Sequence, residues 1–144
     1  MNIEYIDHVG IRVQEEKRSL LFYKKLGFHE HMRAPNDPVI IIKNTQGVEL
    51  NLIINAQSIQ SPSNILMDIP RKHAGITHIA LQVPSILEAI QTLESYNIPL
   101  SGGPARIGEG SISLFIRDPD RNVIELRGRE QPEENIPNLK IYSG

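Results

Sequence analysis

Two stretches of this sequence decide its fold: "IDHVGIRV", from Ile6 to Val13, and "ITHIALQV", from Ile76 to Val83. Apolar residues alternate with other residues in both stretches, which is the pattern of a half-buried β-strand. Each stretch begins with isoleucine, has histidine in third place and ends with valine. This repetition indicates that the chain contains one kind of structural unit twice.

The segments that follow the two stretches also correspond. Each continues with a helical stretch, a short extended piece and two strand-like runs, which are "VIIIKNTQGVELNLI" at 39–53 and "SISLFIRDPDRNVIELRG" at 111–128. We therefore predict an α+β fold in which residues 1–144 form a single domain. Its two β-α-β-β-β modules are expected at about residues 3–54 and 74–128.

Two segments lie outside these modules. The linker at residues 55–73 is polar at first and contains two prolines. Its apolar cluster at 65–67 either packs on the body of the protein or closes over a pocket. The tail at residues 129–144 is polar and contains prolines, so we expect it to be mobile or to lie on a partner surface.

Local signals mark where the predicted elements begin and end. Ser85 precedes an amphipathic run and Glu88 follows three residues later, which is typical of a capping box at a helix start. Gly27 ends the first helical stretch and suits a left-handed backbone. Residues 118–122, "DPDRN", predict a hairpin turn, and residues 44–47 form the corresponding turn, which we expect to be one or two residues shorter.

Composition excludes several classes of function. The chain has 15 Lys and Arg against 17 Asp and Glu, without a long run of either sign, so a nucleic-acid binder is not expected. The absence of cysteine excludes disulfides, thiolate metal sites and cysteine nucleophiles. No stretch approaches the roughly 20 apolar residues of a membrane helix, and the N-terminus lacks a signal-peptide pattern. We expect a cytoplasmic protein with a small-molecule partner.

Four polar residues stand out from the apolar pattern. His8 and His78 lie on the strand faces opposite to the apolar side chains, because successive residues of a strand point to opposite faces. Glu49 in "GVELNL" and Glu125 in "NVIELRG" alternate with apolar residues in the same way, and both follow the predicted turns. If each sheet curls, these four side chains line one concavity.

The chemistry of these four side chains points to a metal ion. Two imidazoles with one or two carboxylates suit Zn²⁺, Fe²⁺, Co²⁺, Ni²⁺ or Mn²⁺ better than Ca²⁺. A lone histidine in a strand is more often a hydrogen-bonded structural residue. Because histidine and glutamate both recur, metal binding becomes the better interpretation, and the ion would balance the charge of a buried carboxylate.

The same residues carry a family resemblance. The paired "DHVGIRV" and "THIALQV" strands, the helix "SLLFYKKLGF" and the closing "FIRDPDRNVIEL" are similar to the glyoxalase, bleomycin-resistance and extradiol-dioxygenase superfamily, over about residues 3–128. This superfamily is also called vicinal oxygen chelate. The resemblance implies that the modules pair into a cupped, incomplete barrel around a metal, often with sites completed across a homodimer. One departure is Arg121, where the family's turn usually has glycine.

The resemblance also implies roles for single residues. It implies His8, His78 and Glu125 as metal ligands, with Glu49 as a fourth ligand or as a base, so the two glutamates are the candidate catalytic carboxylates. Arg12, by resemblance, matches an arginine that helps to hold glutathione in bacterial-type glyoxalase I. Arg127, two residues after Glu125, is a second candidate for substrate binding.

The function implied is that of a metal-dependent, glyoxalase I-like lyase or isomerase. It would act on a small oxygen-chelating substrate through an enediolate-type intermediate, with a divalent Zn, Ni, Co, Fe or Mn ion. One alternative is a non-haem iron dioxygenase or a fosfomycin-type resistance enzyme, since "GEGS" at 108–111 resembles the loop before the hairpin in fosfomycin-opening members. Another is a metal-free protein that sequesters a drug, as bleomycin-resistance proteins do.

Overall fold

The computed structural model describes residues 1–141, and the chain divides into two compact units, residues 1–63 and 64–144. Each unit contains a β-α-β-β-β succession with one open, mixed sheet. The predicted α+β fold with a duplicated unit is therefore confirmed. Within the described residues, no helix is long and apolar enough to cross a membrane.

The first unit holds a four-stranded sheet and one helix. The elements are β1 (Val9–Arg12), α1 (Glu16–Lys25), β2 (His29–Arg33), β3 (Val39–Lys43) and β4 (Glu49–Ile53). The strands lie in the order β1-β4-β3-β2, with β1 parallel to β4 and the other pairs antiparallel. The strand β2 forms one edge of the sheet, and all five of its residues are exposed.

One face of this sheet forms the core of the first unit. Every second residue of β3 and β4 is buried, and in β1 Ile11 is buried, as the alternation of strand side chains requires. Tyr23 of α1 is buried and contacts the ring of Phe28 edge to face, with centroids 6.3 Å apart. The fully or nearly fully buried apolar residues of the sheet are Ile11, Ile40, Ile42, Leu50 and Leu52.

The second unit repeats this arrangement and adds one short strand. The elements are β5 (His78–Gln82), α2 (Ile86–Ser95), β6 (Gly102–Arg106), β7 (Ser111–Arg117), β8 (Val123–Arg129) and β9 (Lys140–Ile141). The strand order is β5-β8-β7-β6-β9, and β5 lies parallel to β8 as β1 does to β4. Buried side chains of α2 are Ile86, Ile90 and Leu93. A Cβ at Gly128 of β8 would lie 2.9 Å from Ile86 Cγ1, so glycine allows this close approach.

The predicted helix and turn signals are confirmed, with one correction. Ser85 Oγ accepts from the backbone N–H of Glu88 at 3.1 Å, and Gly27 has φ of +95°. Asp118 Oδ1 accepts from the N–H groups two and four residues later, at 2.9 Å each. Asn44 Oδ1 accepts from the same two positions of its own turn, at 3.1 and 2.9 Å. The two turns are therefore equally long, and the expectation of a shorter first turn was wrong.

The linker is divided between the units, and its second half is held to the β7–β8 hairpin. Asp68 Oδ1 accepts from Arg117 Nη2 at 2.9 Å, and Asp68 Oδ2 accepts from Arg121 Nε at 3.2 Å. Asn64 Nδ2 donates to the carbonyl oxygen of Arg121 at 3.1 Å. These bonds make residues 64–73 part of the second unit.

The tail packs on the second unit. Gln131 Nε2 donates to the carbonyl oxygen of Pro84 at 2.7 Å, and the Glu134 carboxylate accepts from the Ser85 hydroxyl. The strand β9 pairs in parallel with β6. For the described residues 129–141, the prediction of a mobile tail was wrong, because polar tail residues cap α2 and β9 extends the sheet. The alternative that the tail lies on a partner surface stays a prediction. Residues 142–144 lie outside the described part.

Candidate metal centre

The first unit brings His8 and Glu49 together. His8 directly precedes β1, and Glu49 opens the parallel neighbour β4. His8 Nδ1 lies 2.7 Å from Asp7 Oδ1. Potential ligand atoms of Asp7, His8 and Glu49 all lie within 4.8 Å of one another. We call these three residues, together with Asn51, the first half-site.

Asn51 and Lys43 complete the surroundings of Glu49. With its amide nitrogen facing Glu49, Asn51 donates to Glu49 Oε1 at 3.3 Å, and its amide oxygen lies 3.2 Å from His8 Nε2. Lys43 Nζ lies 3.1 Å from Glu49 Oε2. Glu49 is therefore oriented by an amide on one oxygen and by an ammonium group on the other.

The second unit brings His78 and Glu125 together. His78 Nε2 lies 3.0 Å from Glu125 Oε2, and His78 Nδ1 lies 2.8 Å from the hydroxyl oxygen of Thr77. The ring of Phe115 meets the imidazole edge to face, with centroids 6.0 Å apart. We call Thr77, His78, Ser113 and Glu125 the second half-site.

Glu125 is a buried carboxylate with three polar neighbours. It is 7% exposed, and its Oε1 accepts from the hydroxyl of Ser113, which is fully buried, at 2.5 Å. Arg127 Nη1 donates to the same hydroxyl oxygen at 3.0 Å and lies 3.6 Å from Glu125 Oε1. The carboxylate is thus fixed by Ser113 on one oxygen and faces His78 with the other.

The strand registers correct the predicted equivalence of the two glutamates. Gly10 of β1 pairs with Asn51, whereas Ala80, two residues after His78 as Gly10 is after His8, pairs with Glu125. Asn51 is therefore the counterpart of Glu125. Glu49 lies two residues earlier on the same face of its strand. The sequence interpretation was wrong on this point because it took the first turn to be shorter.

Sequence reasoning also missed several neighbours of the four singled-out residues. An alignment of the two turns on Asn44 and Asp118 would have matched Asn51 with Glu125, since each follows its turn residue by seven positions. Counting back along the hairpin from the same turn pairs Ser113 with Arg127 and Phe115 with Glu125. Asp7 and Thr77 could have been found from the sequence, because each directly precedes one of the two repeated histidines.

The two arginines predicted to bind substrate lie in different units. Arg12 ends β1, and its Nε donates to Asn55 Oδ1 at 3.1 Å. Arg127 lies in β8, where its Nη2 donates to the carbonyl oxygen of Ile107 at 2.9 Å. Their roles in substrate binding stay predictions.

The donor groups of the second half-site have the spacing of two ligands of one divalent ion. Two ligands that each lie about 2.1 Å from such an ion are about 3.0 to 3.4 Å apart at angles of 90 to 109°. The 3.0 Å between His78 Nε2 and Glu125 Oε2 is within this range. Both imidazoles engage Nδ1 with the preceding residue and turn Nε2 toward the neighbouring strand, as ligating histidines do.

Comparison with solved structures gives the same fold. A glyoxalase/dioxygenase from Nostoc punctiforme is 21% identical, with a TM-score of 0.71 and coverage of 90% of this chain and 94% of that one. A lactoylglutathione lyase from Agrobacterium tumefaciens is 21% identical, with a TM-score of 0.63 and coverage of 89% and 96%. An integron cassette protein from V. cholerae is 22% identical, with a TM-score of 0.64 and coverage of 89% and 97%.

The sequence itself matches a family description over most of its length. Residues 5–126 match the Glyoxalase/Bleomycin resistance protein/Dioxygenase superfamily. The match spans both repeated units and includes both half-sites. The chain therefore belongs to this superfamily, as its repeated histidine strands predict.

Proposed function

We propose that the protein is a metal-dependent enzyme of glyoxalase I type, a lyase or isomerase of a small substrate that binds through two neighbouring oxygens. The observation that carries this proposal is the repeated half-site. In each unit, an imidazole is oriented through Nδ1 by the preceding residue, and Nε2 faces a carboxamide or a carboxylate on the parallel strand. Superfamily membership supports the same assignment.

His8, His78 and Glu125 are proposed to hold one divalent ion, with Zn, Ni, Co, Fe and Mn as the candidates. When bound, such an ion acts as a Lewis acid that makes a carbon-bound proton next to a carbonyl easier to remove. Ser113 fixes the Glu125 carboxylate, while Asp7 and Thr77 orient the imidazoles. These residues would hold the site in place for substrate.

Glu49 is proposed to move the proton of the substrate. Because Asn51 occupies the position that corresponds to Glu125, Glu49 is a carboxylate additional to the repeated ligand positions. Its two oxygens are oriented by Asn51 and Lys43, so one of them can accept a proton at a fixed place. General bases held in this way contribute roughly 100-fold to 10,000-fold in rate.

The test is turnover of the hemithioacetal formed from methylglyoxal and glutathione. Full-length protein without an affinity tag is loaded with each candidate metal, and thioester formation is followed by absorbance. We expect Glu49→Gln to lower kcat at least about 100-fold while metal affinity stays within a few-fold. Glu94→Gln, an exposed carboxylate of α2, is the matched control and should keep full activity. Loss of metal affinity in Glu49→Gln would make Glu49 a ligand instead.

A second candidate function is favoured by the strand register. With asparagine in place of a second glutamate, the corresponding positions supply two histidines and one carboxylate, which is the ligand set of many non-haem iron oxygenases. Oxygen uptake with a catechol by the iron-loaded protein, without turnover of the hemithioacetal, would establish this alternative. Absence of stoichiometric metal in the purified protein would instead favour drug sequestration.

We also propose that the protein forms a homodimer, as superfamily members often do. Light scattering after size-exclusion chromatography should give about twice the chain mass of 16.2 kDa. A mass equal to one chain would contradict the homodimer.

A further inference from the structure

A cavity lies in the second unit on the sheet face that carries Glu125. Its volume is about 260 Å³. The residues that line it come from β5, β7 and β8, and they are Ala80, Gln82, Ser111, Arg127, Gly128 and Arg129. Ser113 pairs with Arg127 and Ser111 with Arg129 across the two strands, so the cavity continues the row that begins with Phe115 and Glu125.

The lining of this cavity is basic. It includes two arginines, and none of the described residues that line it is acidic. Arg127 is held by Ser113 through Nη1 and by the Ile107 carbonyl through Nη2, which uses two of its five N–H groups. The loop packs closely here, since a Cβ at Gly108 would lie 3.4 Å from Arg127 Nη2. The guanidinium is therefore fixed before any ligand arrives.

The second arginine offers donors that the described part of the protein does not use. Within residues 1–141, the Arg129 side chain makes no hydrogen bond or ion pair, and it is exposed at the cavity. Ser111 and Gln82 add a hydroxyl and an amide beside it. Glu125, on the same strand face, already engages Ser113 and His78. A fixed guanidinium, a second guanidinium and two neutral donors are suited to an oxyanion.

We propose that this cavity binds the anionic group of the substrate, a carboxylate or a phosphate. That the bound anion belongs to the substrate rests on the proposed function, whereas anion binding by the cavity does not depend on it. Residues two apart on a strand are about 7 Å apart, so Arg127 and Arg129 lie about 7 and 13 Å along β8 from Glu125. The substrate class is then a small molecule with chelating oxygens at one end and an oxyanion at the other.

The test uses sodium phosphate and sodium acetate as probes of the metal-free full chain at constant ionic strength. Binding is followed by ¹⁵N NMR of backbone amides and arginine side chains. We expect saturable shifts at Gln82, Ser111 and Arg129 with at least one probe. Tighter phosphate binding identifies a phosphate-bearing substrate, and tighter acetate binding a carboxylate-bearing one. Arg129→Gln should weaken binding about tenfold.

Arg71→Gln is the matched control, because it removes the same charge from an exposed position outside the cavity. It should leave the affinity within about twofold. The proposal is overturned if neither probe gives saturable shifts at the cavity, or if Arg71→Gln weakens binding as much as Arg129→Gln. Because no metal is added, this result does not depend on whether the proposed metal site is correct. If the protein binds metal but neither anion, the anion-binding proposal is contradicted and the proposed function is not.

Discussion

The residue before each histidine sets how that histidine presents its ring. The Asp7 carboxylate only accepts hydrogen bonds, so it favours the His8 tautomer that donates from Nδ1. In that tautomer Nε2 is the nitrogen proposed to bind the metal, in place of its contact with the Asn51 amide oxygen. The Thr77 hydroxyl both donates and accepts, so His78 can adopt either tautomer beside it. The two half-sites therefore differ in how strongly they fix the imidazole.

Replacing Asp7 tests this role directly. We expect Asp7→Asn to weaken metal affinity about tenfold, because groups that hydrogen-bond the second nitrogen of a ligating histidine typically contribute 10-fold to 100-fold. Isothermal titration gives the affinity, and ¹⁵N shifts of the His8 ring report the tautomer. Asp37→Asn removes an exposed carboxylate elsewhere in the first unit and serves as the control. Unchanged affinity and an unchanged tautomer in Asp7→Asn would refute the orienting role.

Ser113 joins the proposed ligand Glu125 to Arg127. Its fully buried hydroxyl donates to the carboxylate and accepts from the guanidinium. Removing it leaves both groups without this partner, so we expect Ser113→Ala to lower the free energy of unfolding by about 2 kcal/mol. Ser111→Ala, on the same strand face, should cost less than about 0.5 kcal/mol. Urea denaturation compares the two variants. Equal losses of unfolding free energy would contradict a stabilising role of the hydrogen bonds that Ser113 makes to Glu125 and Arg127.

At the scale of elements, the segment 64–73 is secured to the β7–β8 hairpin through Asp68. The Asn64 N–H, and then Arg121 and Arg117, lower the pKa of Asp68 from 3.8 to about 2. A carboxyl whose pKa is lower in the folded state stabilises the protein above its unfolded pKa. That contribution is lost as the pH falls from about 4 to about 2. Arg121 has φ of +68°, a backbone conformation that favours glycine. Its side chain nevertheless contributes here, because it forms an ion pair with Asp68.

Asp68→Asn therefore has a defined pH signature. We expect it to lower the free energy of unfolding by about 1 kcal/mol at pH 7, a modest value because solvent screens the partly exposed pair. The difference from the wild type should shrink as the pH approaches 2. Urea denaturation at pH 7, 4 and 2.5 measures it, with Asp37→Asn as the control. A difference that does not depend on pH would show that the pairing contributes little.

Much of the fold followed from local patterns, whereas one error arose from contacts distant in sequence and another from a misjudged turn length. The alternation in β1 and β5, the Ser85 cap and the Asp118 turn each depend on neighbours along the chain, so the sequence predicts them. The polar tail gave no such signal, because it is ordered by Pro84, Ser85 and β6. The other error was local: taking the Asn44 turn as shorter displaced the predicted register, which decides that Asn51 rather than Glu49 corresponds to Glu125.

For the molecule as a whole, the proposed function requires that both units serve one site. Each unit contributes a histidine with an oriented ring and a side-chain oxygen beside its Nε2. The duplication alone does not require a shared ion, because each half-site could instead bind its own ion weakly. The central claim is that His8 and His78 serve the same ion.

Metal stoichiometry of the full-length, untagged chain tests this claim most directly. The wild type is compared with His8→Ala, His78→Ala and the exposed control His73→Ala by elemental analysis and titration with Zn²⁺, Ni²⁺ and Co²⁺, after circular dichroism has shown that each variant is folded. We expect one ion per chain in the wild type and in His73→Ala, and at least about 100-fold weaker binding in each of the other two variants. Two ions per chain, each lost with only one histidine, or no bound ion in the wild type, would contradict the claim.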